Sequence, residues 1–164
     1  MTESTGKRPY ARGTLEERFW SKVIKTETCW IWDGAHNGQG YGRLLVEGSK
    51  RVYPHRFSYE LVHGPIPEGM QIDHMCHDGR CVRPDHLRAV TNKQNGENRA
   101  GAYTTSKTGI RGVSRHSQNG NWVASVVHNY RKHHIGSFAT IDEAEAAVVE
   151  ARRRLFTHSD MDLP

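Results

Sequence analysis

Apolar residues recur along the chain at intervals that change from helical to strand-like and back. Leu15, Phe19 and Val23 are spaced by four, which is one helical face. Thr14 with Glu17 three residues on makes a capping box, so the pattern predicts a helix from Thr14 to about Lys25. Residues 29–53 break into the short apolar pieces CWIW, YGRLLV and RVY, separated by Gly-rich turns, and read as strands. A second helix occupies about 55–63, stopped by Gly64 and followed by Pro65 and Pro67. The strand-like QIDHM, a loop with two cysteines and the strand-like LRAV come next. A helix then begins after Thr91, which forms a capping box with Gln94.

GAYTTSKT, residues 101–108, has no apolar periodicity and reads as a linker. Beyond it lie three strand candidates, GIRGVSRH, NWVASVV and RKHHIGSF. Asn119-Gly120 separates the first two, a hairpin signal. Thr140 and Glu143 open a helix whose apolar stripe is Ile141, Ala144, Val148, Ala151 and Leu155. The predicted organisation is a basic disordered arm at 1–13, a first domain at 14–100, the linker, a second domain at 109–157 and a tail at 158–164. The fold class is α+β, with no internal repeat. The second domain is a small three-stranded antiparallel sheet plus one helix.

Composition narrows the field. The 164 residues are 35% hydrophobic, so any core is lean. No apolar run is long enough to cross a membrane, and the first residues lack a signal-peptide pattern, so an intracellular, cytoplasmic protein is expected. Three cysteines argue against a secreted disulfide scaffold. Net charge is +5. Its distribution says more: between Glu97 and Asp142 there is no acidic residue, while Arg99, Lys107, Arg111, Arg115, Arg131 and Lys132 are all present. A solvated basic face is the plain reading. Over so long an interval, a phosphate-facing surface explains it better.

Cys76, Cys81 and His86 follow one another at intervals of five. Two thiolates and an imidazole from one loop suit tetrahedral Zn²⁺ and leave one ligand to find. Cys29 can complete a Cys₃His set, and His77 could do so in its place. The competing reading is three buried, reduced cysteines acting as small hydrophobes. A loop of Gly, Asp and Arg is poor apolar core, which favours the metal. A closed four-ligand site is structural: it staples a lean core.

Asp73-His74 stands immediately before this loop, and the helix after it carries Asn92, Asn95 and Asn98. The stretch DHMCHDGRCVRPDHLRAVTNKQN resembles the motif of the HNH, or His-Me finger, endonucleases, in the zinc-bearing His-Cys-box subtype and related phage proteins. CWIWDGA, GYGRL and HRFSYELVHGPIPEGM extend the resemblance over about 29–100. It implies a zinc-stapled ββα-metal domain in which His74 is the general base and Asn95 a ligand of the catalytic divalent ion. Asp73 corresponds to a carboxylate that some subtypes add to the metal shell. Cys29, Cys76, Cys81 and His86 correspond to the structural zinc ligands. The middle Asn of the family name is absent, His86 preceding Leu87 at that place. The chemistry is coherent in its own right. A neutral imidazole can take a proton from the attacking water, and an amide oxygen and a carboxylate suit Mg²⁺ or Mn²⁺. Arg56 could hold the scissile phosphate, and an exposed arginine would look the same. Adjacent strand residues point to opposite faces, so Asp73 and His74 share a site only where the strand end is irregular.

The segment 104–157 resembles the ethylene-response-factor-type DNA-binding domain, on Arg111-Gly112-Val113, Trp122, Gly136-Ser137-Phe138 and the Ala-rich helix. That resemblance implies a sheet face in the major groove, with Arg and Trp making contacts. Alternation can put Arg111, Val113 and Arg115 on one face. The expected DNA-contacting residues are Arg111, Arg115, Trp122, Arg131 and Lys132. The whole reads as a metal-dependent DNA endonuclease of phage or homing type, with double-stranded DNA as partner and no membrane. A monomer would nick, and a homodimer could break both strands. The rival readings are a non-catalytic zinc-containing DNA-binding regulator and, more weakly, an RNA-binding protein.

Overall fold

The computed structural model describes residues 13–38, 40–46 and 50–162. The arm expected at 1–13 lies, apart from Gly13, outside the described residues. The chain divides into two compact units, Met1–Ile66 with Asp78–Arg88, and Pro67–His77 with Ala89–Pro164.

In the first unit, α1 (Leu15–Trp20) starts at the predicted cap: the Thr14 hydroxyl accepts from the Glu17 amide, and the Glu17 carboxylate accepts in return from the Thr14 amide. The helix does not reach Lys25. Ser21 ends it, and Val23–Lys25 becomes β1, antiparallel to β2 (Trp30–Trp32). Spacing alone placed Val23 on the helix. The β-branched pair Val23-Ile24 instead gains cross-strand neighbours in Trp32 and Ile31, a long-range pairing that local periodicity does not contain. β3 (Leu44–Leu45) and β4 (Arg51–Val52) form a second small antiparallel pair. Helix α2 (Pro54–His63) starts one residue earlier than expected, with proline in its first turn, and ends at Gly64 (φ 81°) as the sequence predicts.

Phe19, Trp32, Leu44 and Val82 form this unit's buried cluster. Trp32 is its largest member, and Gly34 and Gly42 make room for it. A Cβ on either glycine would come within 2.3 Å and 2.5 Å, respectively, of the indole. The segment carrying Val82 is tied in by backbone bonds from Trp32 N–H to Arg80 O and from Val82 N–H to Trp30 O. The buried Ser58 hydroxyl of α2 also donates to Val82 O at 2.5 Å.

β5 (Gln71–His74) pairs with β6 (Leu87–Val90), and α3 (Asn92–Glu97) follows at once. Thr91 and Gln94 form the predicted capping box. In the second unit, β7 (Val113–Arg115), β8 (Trp122–His128) and β9 (Arg131–Phe138) make one antiparallel sheet in the order β7-β8-β9. Gly120 (φ 74°) serves the β7–β8 turn. Asn129 and Tyr130, both with positive φ, make the two-residue turn into β9. Helix α4 (Ile141–Leu155), capped by Thr140 and Glu143, covers one face of the sheet. Ala144, Val148 and Ala151 pack there on Val113, Ala124 and Val126. Gly112 (φ 86°) permits this approach, since a Cβ there would lie 2.7 Å from Val148 Cγ2 of α4 and 2.5 Å from Ser125 O of β8. The chain then turns through a short 3₁₀ helix, Asp160–Asp162.

Candidate functional site

Two constellations flank the β5–β6 loop. The first is the thiol–imidazole set. The ligand atoms of Cys29, Cys76, Cys81 and His86 all lie within 4.8 Å of one another. His86 Nδ1 is 3.6 Å from the sulfurs of both Cys29 and Cys81. Tetrahedral zinc, with Zn–S of about 2.3 Å and Zn–N of about 2.05 Å, requires an S···N separation of about 3.5 Å. The Cys29 and Cys81 sulfurs therefore stand at zinc spacing from His86, and the four-residue set uses every cysteine of the chain. Local backbone explains the set. Cys29 closes the β1–β2 turn, where the Thr26 hydroxyl accepts from its amide at 3.0 Å. Cys81 is bridged to Ile31 of β2. His86 ends a 3₁₀ turn opened by Pro84. The Arg83 amide donates to the Cys81 sulfur at 3.5 Å, an outer contact of the kind that holds a thiolate ligand. His77, the alternative fourth ligand, adopts positive φ (58°) and is not a member of the set.

The second constellation lies where β5 meets α3. Asp73 is buried, and its Oδ2 accepts from Asn98 Nδ2 at 2.9 Å. The same Nδ2 reaches His74 O at 3.4 Å. Asn95 Nδ2 donates to Gln71 Oε1 at 2.7 Å, so Asn95 also faces β5, two residues before Asp73. The structure thus brings α3 against the strand that carries Asp73 and His74. The asparagine that touches Asp73 is Asn98, which sequence reasoning noted on the helix but gave no role. Its signal was present as the i, i+3 partner of Asn95. Arg56 lies half-buried in the first turn of α2.

The expected DNA-contacting residues separate into three groups. Arg111 is committed inside the protein: its guanidinium donates to the carbonyls of Gly96, Glu97 and Arg99, each at 2.9 Å. Burial, and the nearby Arg99 and Arg152 charges, push its pKa down to about 10. Val113 belongs to the core under α4, so the face it was expected to share with Arg111 and Arg115 is the covered one. Trp122 pairs with Arg115, packs against the same core, and has the Arg115 guanidinium 5.4 Å from its ring centroid. Lys132 pairs with Val127, and His134 with Ser125, on the sheet face away from α4. Arg131 is exposed at the start of β9.

A network missed from sequence surrounds Glu97. This buried carboxylate pairs with Lys93 at 2.8 Å and accepts from the amide and hydroxyl of Thr157 at 3.1 and 3.2 Å. Burial pushes its pKa up, but the Lys93 and Thr157 bonds outweigh that and hold it below the ordinary value. Glu97 is the last acid before the basic interval; its sequence neighbourhood offers no other hint.

Residues 52–97 match the HNH endonuclease family model. This segment spans α2, β5, β6 and α3. "Protein 7.7" of Escherichia phage T7 is 45% identical over 71 residues, covering 43% of this chain and 54% of the relative. "Protein 2.8" of the same phage is 35% identical over 83 residues, 49% of this chain and 56% of the relative. A protein named an uncharacterized HNH endonuclease, from Acanthamoeba polyphaga mimivirus, is 34% identical over 91 residues, 55% of this chain and 46% of its own. The chain spans about half the length of these relatives. No solved structure matches it significantly.

Proposed function

We propose that this chain is a metal-dependent DNA endonuclease built on a zinc-stapled ββα-metal centre. The observation that carries the reading is the HNH match over 52–97, because that interval contains Asp73, His74 and Asn95 on elements that meet. His74 acts as general base: it accepts the proton of a water whose oxygen forms the new bond to phosphorus as the P–O3′ bond breaks. Asp73 and Asn95 offer a carboxylate and an amide oxygen, the donor chemistry that Mg²⁺ or Mn²⁺ takes. Such an ion, when bound, supplies stabilisation of charge on the phosphate and on the departing oxygen. Arg56 steadies the scissile phosphate. Cys29, Cys76, Cys81 and His86 hold a zinc ion with no open position, which makes its role structural.

The second unit's sheet binds double-stranded DNA, with Lys132 on the face away from α4 and Arg115, Trp122 and Arg131 at its rim. Arg111 is left out of that surface because its guanidinium is already half-buried on three backbone carbonyls. One centre per chain makes a monomer a nickase, and a symmetric pair of chains could cut both strands. The test is incubation of the purified protein with supercoiled plasmid and Mg²⁺, Mn²⁺ or EDTA. Relaxed or linear product with the ions and none with EDTA is expected. Binding without cleavage under every divalent ion would instead make the protein a zinc-containing DNA-binding regulator.

A further inference from the structure

We propose that Asn98 is a positioning residue of the nuclease centre, through which the C-terminal segment at 157–162 holds the end of β5 in place. The proposal rests on the reading of Asp73 and His74 as nuclease residues. Asn98 is 3% exposed and stands at the C-terminal cap of α3. Its side-chain nitrogen donates to Asp73 Oδ2 and reaches His74 O, while its oxygen accepts from the Asp160 amide at 3.2 Å. These partners define the amide's orientation. Turned over, it would set an oxygen against the Asp73 carboxylate and the His74 carbonyl, and an NH₂ group against the Asp160 N–H. One planar group therefore ties a carboxylate of the centre to a backbone N–H that lies sixty-two residues beyond Asn98.

The far side of that link is itself held firmly. Thr157 is fastened to Glu97, the residue before Asn98, and Asp162 is fastened to Arg152. Arg111 in turn gathers the last carbonyls of α3. The segment after α4 is consequently built into the same packing as Asp73. A carboxylate that must present one oxygen to a cation gains from having the other fixed by a rigid donor, the usual task of a residue behind a metal ligand.

Asn98→Asp keeps the shape and the acceptor for Asp160, but sets an oxygen against Asp73. Asp160→Pro removes the amide donor at the first position of a 3₁₀ turn, where proline is tolerated, and Asp160→Ala retains that donor. The full-length proteins are compared for plasmid cleavage, zinc content, melting temperature and the split between kcat and KM. Asn98→Asp should lower kcat by about 10–100-fold with KM for DNA and zinc content unchanged. Asp160→Pro should cut more slowly than Asp160→Ala. Folded Asn98→Asp at the wild-type kcat overturns the proposal, and so does equality of the two Asp160 variants. If Asn98→Asp does not fold, the Asp160 comparison decides. Wild type that never cuts overturns the endonuclease reading, and the positioning role falls with it.

Discussion

Arg152 grips Asp162 through two bonds, Nε to Oδ2 and Nη2 to Oδ1, each 2.7 Å long, with both side chains buried. The third guanidinium nitrogen donates to Arg111 O at 2.8 Å, so the pair also fixes the residue whose guanidinium holds the last carbonyls of α3. Removing one partner would leave a buried charge alone. Asp162→Ala should destabilise the protein by about 3–5 kcal/mol, the usual cost of breaking a buried pair from one side. Thermal or urea unfolding checks this, and a shift of less than 1 kcal/mol would show the pair to be solvated.

Two carboxyls give this region a pH dependence of definite sign. Burial raises the pKa of Asp162, but its bonds to Arg152 and Ser159 outweigh that and hold it below the ordinary value; Glu97 is likewise lowered. Unfolding returns both to ordinary carboxyl behaviour, so in acid the unfolded chain binds more protons. Their contribution to stability is complete above the ordinary carboxylate range and is lost as pH falls through the lowered folded values. Melting temperature should therefore fall on acidification below that range. Glu97→Gln should flatten the fall, measurable by melting at a series of pH values.

What the sequence revealed and what it hid divide along a physical line. The capping boxes at Thr14, Thr91 and Thr140, the Gly64 stop and the Gly120 turn are local chemistry, and each is where the pattern put it. The convergence of Cys29, Cys76, Cys81 and His86 was legible because few residue types can bind zinc, and they cluster as the spacing suggested. Val23 was misplaced because its strand partner, Trp32, lies beyond a turn that no helical wheel contains. Arg111 and Asn98 were hidden for a related reason. Arginine and asparagine look alike in sequence whether they face solvent, phosphate or a buried carbonyl, and only tertiary packing decides.

Arg111 and Lys132 should separate accordingly. Arg111→Ala strips three carbonyl acceptors around the end of α3 of their donor and should lower the melting temperature, with little change in the salt dependence of DNA binding. Lys132→Ala should leave melting unchanged and reduce the salt slope by about one counterion, the signature of a single phosphate contact. Filter binding or anisotropy over a salt series checks both, and a loss of slope from Arg111→Ala alone would reverse the assignment.

Zinc should be part of the folding free energy. Elemental analysis should find about one zinc per chain, held by the single four-ligand set among the described residues. Cys76→Ser and Cys81→Ser should each lower the melting temperature and the metal content together, and a strong chelator should do the same to the wild type. An unchanged melt in either variant would remove the structural role of the site.

The imidazole of His74 separates chemistry from binding. His74 is not a member of the thiol–imidazole set, and the sheet proposed to hold the duplex is made of other residues. His74→Ala should therefore fold, carry zinc and bind DNA as the wild type does, while cleavage falls by about 10²–10⁴-fold, the range for loss of a general base. Asn95→Ala should also slow cleavage, but through weakened binding of the divalent ion, so raising Mg²⁺ or Mn²⁺ should restore part of the rate. Asn95→Asp keeps an oxygen ligand and should retain more activity than Asn95→Ala. No concentration of divalent ion should rescue His74→Ala, because the missing function is proton acceptance. Single-turnover cleavage across a Mg²⁺ series distinguishes the two defects. Wild-type cleavage by His74→Ala would mean that another group takes the proton from the attacking water.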